Sequence, residues 1–152
     1  MITKKEHYLI LNIENSIQSI IKKEISLLKN GRVERNFTSH FANEISANLN
    51  INNIIIDPFC NKHKGKPKLL NGGNIELDIA IHERNIDNNL VAIEIETNNN
   101  PIGDDLWKIK EMTKGTDGYN YKLGLYIVLG VSNKAGKIIT KNWYKKGNIL
   151  PV

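Results

Sequence analysis

The run Leu123-Gly-Leu-Tyr-Ile-Val-Leu129 carries no charged side chain in seven successive positions. A strand with one wet face alternates apolar and polar residues, and this one does not. The strand reads as Tyr121 to Gly130, and such a segment is covered on both sides, as the central strands of α/β sheets are. The chain around it therefore needs helical layers on both faces of a sheet. The run is far shorter than the roughly 18 apolar residues of a membrane span, and no run of that length occurs. The N-terminus MITKKEHYLILN also lacks the apolar segment of a secretory signal.

Helical signals flank that strand. From Thr3 to Lys29, Ile10, Ile13, Ile17, Ile20, Ile21, Ile25 and Leu28 recur at steps of three and four, and Asn30-Gly31 offers a stop. Thr38 or Ser39 can cap a second helix reaching about Asn50, with Phe41, Ile45 and Leu49 on its apolar stripe and Glu44 beside it. A third helix follows Asp104 and Asp105, runs to about Lys114, and is closed by Gly-Thr-Asp-Gly.

Strand signals fall between them. Ile54-Ile55-Ile56 is β-branched and is expected to end at Asp57-Pro58. Ile75 to His82 alternates strictly, with Ile75, Leu77, Ile79 and Ile81 opposite Glu76, Asp78, Ala80 and His82. Leu90-Val-Ala-Ile-Glu-Ile-Glu-Thr97 follows after a polar connection, so the two segments are expected to form a hairpin. The order is helix, helix, strand, strand, strand, helix, strand: one α/β domain with a mixed sheet over 1–152. The tail beyond Val131 is basic and shows no clear period.

The 152 residues carry a net charge of +5 and a single cysteine, Cys60. No internal disulfide is possible, and a reducing, cytoplasmic setting is the expectation. The basic balance suits an acidic partner such as nucleic acid, although many soluble proteins are as basic. The lysines of Asn61–Lys68, around His63, and Trp143-Tyr144 among Lys141, Lys145 and Lys146 have the composition of a nucleic-acid contact. Equally, the first can be a solvated loop and the second a core pair.

The acids of the two hairpin strands are the most informative residues. Glu94 and Glu96 share a strand face, as do Glu76 and Asp78. If the strands pair, Asp78 comes beside Glu94 or Glu96, and the carboxylates repel unless they face water or hold a cation. Oxygen ligands with open positions suit Mg²⁺. The same alternation also describes a charged, solvated sheet face, and periodicity does not separate the two.

With Asp78 in ELDIAIH, Glu94 in AIEIET, Glu44 in FANEISANL and the following DLWKIKEMT and YKLGLYIVL, the chain resembles the PD-(D/E)xK nuclease superfamily from Thr38 to Gly130. The resemblance implies a restriction-endonuclease-like core, helix-strand-strand-strand-helix-strand, with an extra N-terminal helix. It implies hydrolysis of a phosphodiester, in DNA, dependent on Mg²⁺ or Mn²⁺. Asp78 and Glu94 would hold the metal with the carbonyl of Ile95, and Glu44 would assist. Leu77 stands where the motif has proline, and Glu96 where it has lysine. Glu96 could take the lysine's role, a lysine could have migrated to Lys108 or Lys110, or the fold could serve as a silent module binding nucleic acid or protein. A chain of this size has no separate reader domain, so specific double-strand cleavage implies a second copy or a partner protein.

Overall fold

The computed structural model describes residues 1–31, 34–63, 65–83, 86–103, 105–115 and 118–152. A six-stranded mixed sheet forms its centre. In chain order the elements are helices α1 (Lys4–Lys23), α2 (Ile25–Asn30) and α3 (Glu34–Asn48), then strands β1 (Ile54–Cys60), β2 (Lys62–His63), β3 (Lys66–Pro67), β4 (Leu69–Leu70), β5 (Gly73–Asn74), β6 (Leu77–Glu83) and β7 (Asn89–Thr97). Helix α4 (Leu106–Lys114), β8 (Leu123–Leu129), a 3-10 turn (Ser132–Lys134), β9 (Ile138–Lys145) and β10 (Asn148–Leu150) complete it. The sheet order is β1-β6-β7-β8-β9-β10. Only β7 and β8 run parallel, and α4 is the crossover that a parallel pair requires.

The doubly apolar run is β8, buried at all seven positions. Leu123, Leu125, Ile127 and Leu129 face one core with α1 and α3, which also takes Ile79, Ile81, Val91, Ile93 and Ile95. The opposite core holds Ala80, Ala92, Tyr126 and Val128 beneath Ile109 and Met112 of α4. Gly124 sets how close α4 comes. A Cβ there would lie 2.7 Å from Ile109 Cγ2 and 2.9 Å from Thr113 Cγ2, so a side chain would lift the helix off β8.

Several boundaries differ from the sequence reading. The first helix breaks at Glu24, where φ is −106° and ψ 22°. Helix α3 begins at Glu34 and not at Thr38 or Ser39; Thr38 is mid-helix and fully buried, its hydroxyl donating to the Glu34 carbonyl at 2.8 Å. Strand β1 runs through Asp57-Pro58 to Cys60, because β1 is the sheet's edge and a proline is tolerated there. The expected cap Asp104 lies outside the described residues, and Asp105 makes no side-chain cap bond. The tail forms β9 and β10. Trp143 and Tyr144 on β9 are each 1% exposed, so they are core residues, with no face open for stacking bases. No described helix is long and apolar enough to cross a membrane.

Candidate functional site

Strands β6 and β7 pair antiparallel, Ile79 opposite Ile93 and Ala80 opposite Ala92. One step further would set Asp78 opposite Glu94, and there the ladder stops. The Ile95 N–H donates to Asp78 Oδ2 at 2.7 Å. A side-chain carboxylate thus takes the bond that a ladder carbonyl would take, and the two strands part at the sheet's end.

Alternation along β7 puts Glu94 on the α4 face with Ala92. Its side chain is 1% exposed. From the first turn of α4, Lys108 donates to Glu94 Oε2 at 3.0 Å, to Asp105 Oδ1 at 2.8 Å and to the Glu76 carbonyl at 3.3 Å. The second carboxylate oxygen, Glu94 Oε1, is buried with no hydrogen-bond partner. From the first turn of α3, Glu34 accepts the Thr97 N–H at 3.2 Å. These groups line a cleft of about 430 Å³, together with Asn74, Ile75, Glu76 and the indole of Trp107.

The charges do not balance. Burial, opposed by the Ile95 N–H and reinforced by the charge of Glu34, pushes Asp78 up to about 6. Burial, then repulsion from Asp78, raises Glu94 well above the usual carboxylate range, and Lys108 offsets it only in part. Glu34 is also raised, by desolvation and by Asp105 and Glu96. Lys108 is driven the other way: burial opposes its charge, but Glu94 and Asp105 outweigh that and raise its pKa. One ammonium serves several carboxylates, and a further cation would be drawn into this cleft.

The sequence-predicted residues separate into two groups. Asp78, Glu94 and the main chain of Ile95 meet here; the Ile95 side chain is in the opposite core. Glu44 is elsewhere. Its carboxylate accepts from Ser19 at 2.6 Å and from Lys23 at 2.7 and 3.0 Å, and these bonds hold its pKa down. It lies ten residues beyond Glu34, about 15 Å along the helix axis, so it belongs to the α1–α3 contact. Glu34 is the helix acid at the cleft; a helix that begins at Thr38 or Ser39 leaves it out. Glu96 is two residues along β7 and accepts the Tyr126 hydroxyl at 2.6 Å. It does not line the cleft. Of the two candidate lysines, Lys108 occupies the place beside Glu94. Lys110 is about 200° around the helix and faces away.

Among the described residues no three His, Cys, Asp or Glu side chains already form a metal cage. Mg²⁺ does not need one, since it is held by one or two carboxylates and keeps several waters. The orphaned Glu94 oxygen and the raised Asp78 fit such an ion. His82 is at the far end of β6, 3.9 Å from Asp57. Comparison with family models, curated proteins and solved structures finds no match to this chain.

Proposed function

We propose that the chain is a metal-dependent phosphodiester hydrolase of the restriction-endonuclease-like type, acting on DNA. The observation that carries this reading is the pairing of Asp78 and Glu94 where β6 and β7 part, with one buried oxygen of Glu94 unpartnered. Asp78, Glu94 and the Ile95 carbonyl would hold Mg²⁺ or Mn²⁺, and Glu34, not Glu44, would be the accessory acid. The ion when bound would lower the pKa of water and offset charge on the phosphate. Lys108 does what the motif lysine does in the resemblance. Its ammonium, fixed by Glu94, Asp105 and the Glu76 carbonyl, steadies an attacking water or a phosphate oxygen. Asp78 is raised to about 6 while the cleft holds no ion, so a bound ion would displace its proton. Glu96 keeps Tyr126 in place and is outside the chemistry.

One observation favours a second reading, a silent module of the same fold. Lys108 sits on Glu94 Oε2 where a resident cation would sit, which is how a retired site would look. Incubation of supercoiled plasmid, single-stranded DNA and RNA with Mg²⁺ or Mn²⁺ separates the two. Cleavage that Asp78→Ala abolishes supports the hydrolase. No cleavage of any substrate, with no rise in melting temperature on adding either metal, supports the silent module.

A further inference from the structure

The lysines of Asn61–Lys68 are not all alike. Lys62 and Lys66 are exposed, whereas Lys68 is 2% exposed. The main chain pins it from both sides: its N–H donates to the Asn61 carbonyl at 2.7 Å, and its carbonyl accepts from Ile75 at 3.0 Å. Its ammonium donates to the Lys62 carbonyl at 2.6 Å and lies 5.4 Å from the Tyr119 ring centroid. Among the described residues the Lys62 carbonyl is its one hydrogen-bond acceptor, and no carboxylate pairs with it. A buried ammonium in that condition is costly unless an anion reaches it.

An anion has room to do so. Lys68 lines a cavity of about 330 Å³ against the β1–β6 edge, with Cys60, Lys62, His63 and His82. The acids around it are engaged with other groups. Asp57 faces His82 at 3.9 Å and Asp87 faces His63 at 3.7 Å, pairs of opposite charge only when the imidazole is protonated, and Glu83 is bonded to Lys5. The cations left over are Lys62 and Lys68.

We propose that this cavity is a binding site for a phosphate group, either free or at the end of a small molecule, with Lys68 as its central donor. A compact point charge suits a tetrahedral oxyanion. The volume is at the lower end of the range for small-molecule sites. The site is separate from the Asp78–Glu94 cleft and does not rest on the hydrolase reading.

The test uses the whole chain in EDTA, so that no metal at the other cleft contributes. Inorganic phosphate is titrated against chloride at equal ionic strength, with adenosine monophosphate as a second arm. Phosphate near a hundredfold above its Kd raises the melting temperature by about 5 °C or more, and Lys68→Met removes the rise. Tighter binding of the nucleotide identifies a terminal phosphate as the ligand; equal binding identifies the free ion. Cys60 lines the same cavity and is the only cysteine. In the wild-type protein its alkylation by iodoacetamide slows about tenfold under phosphate, a readout that needs no variant. Equal melting temperatures in phosphate and chloride, an undiminished rise in Lys68→Met, or an unchanged rate at Cys60 overturns the site.

Discussion

Glu6 and Glu94 are both buried acids, each held by a lysine, and they behave in opposite ways. Glu6 is 5% exposed. It closes the capping box of α1, accepting the Thr3 N–H at 2.7 Å, and Lys145 reaches both of its oxygens at 2.7 and 2.8 Å. Burial alone would raise its pKa, but these bonds outweigh burial and lower it. Glu94 has the same kind of partner on one oxygen and nothing on the other, and its pKa is raised well above the usual range. A buried acid kept for stability has all its acceptors used. One whose lone pairs are left over, beside a second acid, is stabilising nothing by itself, and that marks it as part of a site.

The sharpest way to break this comparison is through activity. Asp78→Ala removes one of the two proposed metal-holding carboxylates, and nuclease activity falls more than about 100-fold. Glu6→Gln leaves activity per folded molecule unchanged, which a plasmid assay on both variants measures. Stability reverses the order. Glu6→Gln removes the charge facing Lys145, which keeps the Met1 carbonyl as an acceptor, and costs about 1–2 kcal/mol, read from denaturant midpoints.

Proton linkage sharpens the contrast further. An acid raised in the fold holds its proton in the native state, so its contribution to stability is present at low pH and is lost as pH rises. Asp78 goes from an ordinary 3.8 to about 6, so the loss falls between about pH 4 and 6. Glu94 extends it to higher pH. Glu6 is lowered, so its contribution is present above about its ordinary 4.5 and is lost below. Glu94→Gln therefore raises the stability of the metal-free protein at pH 7 and raises it much less at pH 4. A melting-temperature series against pH checks it. Equal stabilisation at both pH values would mean that Glu94 ionises normally.

Much of the fold was legible because the strongest patterns were unambiguous. The unbroken apolar run placed β8 at the centre, and Ile79 and Ile81 against Leu90 to Glu96 set two paired strands with their acids on one face; Ile75 and Leu77, expected beside Ile79 and Ile81, pack instead in the α4-side core, because the β6–β7 ladder ends at Ile79. The pairing of β6 with β7 then followed from the short polar connection. Weaker patterns failed for physical reasons. Strand β9 mixes Ile138 and Trp143 with Lys141 and Asn142, and its burial depends on α1, where Glu14 accepts from Trp143 Nε1 at 2.7 Å. The excursion from Asn61 to Glu76 folds into two-residue ladders held by tertiary bonds such as Leu69 N–H to the Tyr119 hydroxyl at 2.6 Å. No local propensity encodes a contact fifty residues away. Lys108 was one of two lysines in the right helix, and only the helix phase selects it over Lys110.

The helix acid is the finest test, since Glu34 and Glu44 share α3 and differ in what they face. Glu34 lines the cleft and is raised by burial and by neighbouring acids; Glu44 sits in the α1 contact and is lowered by Lys23 and Ser19. Glu34→Gln lowers metal-dependent cleavage about 10-fold or more while leaving the fold intact. Glu44→Gln leaves cleavage unchanged and costs no more than about 1 kcal/mol, the usual worth of a half-exposed ion pair. The two single variants, compared by initial rate across a Mg²⁺ titration, decide which turn of α3 belongs to the site. A loss confined to Glu44→Gln would move the site toward α1 and undo the assignment of the Asp78–Glu94 cleft.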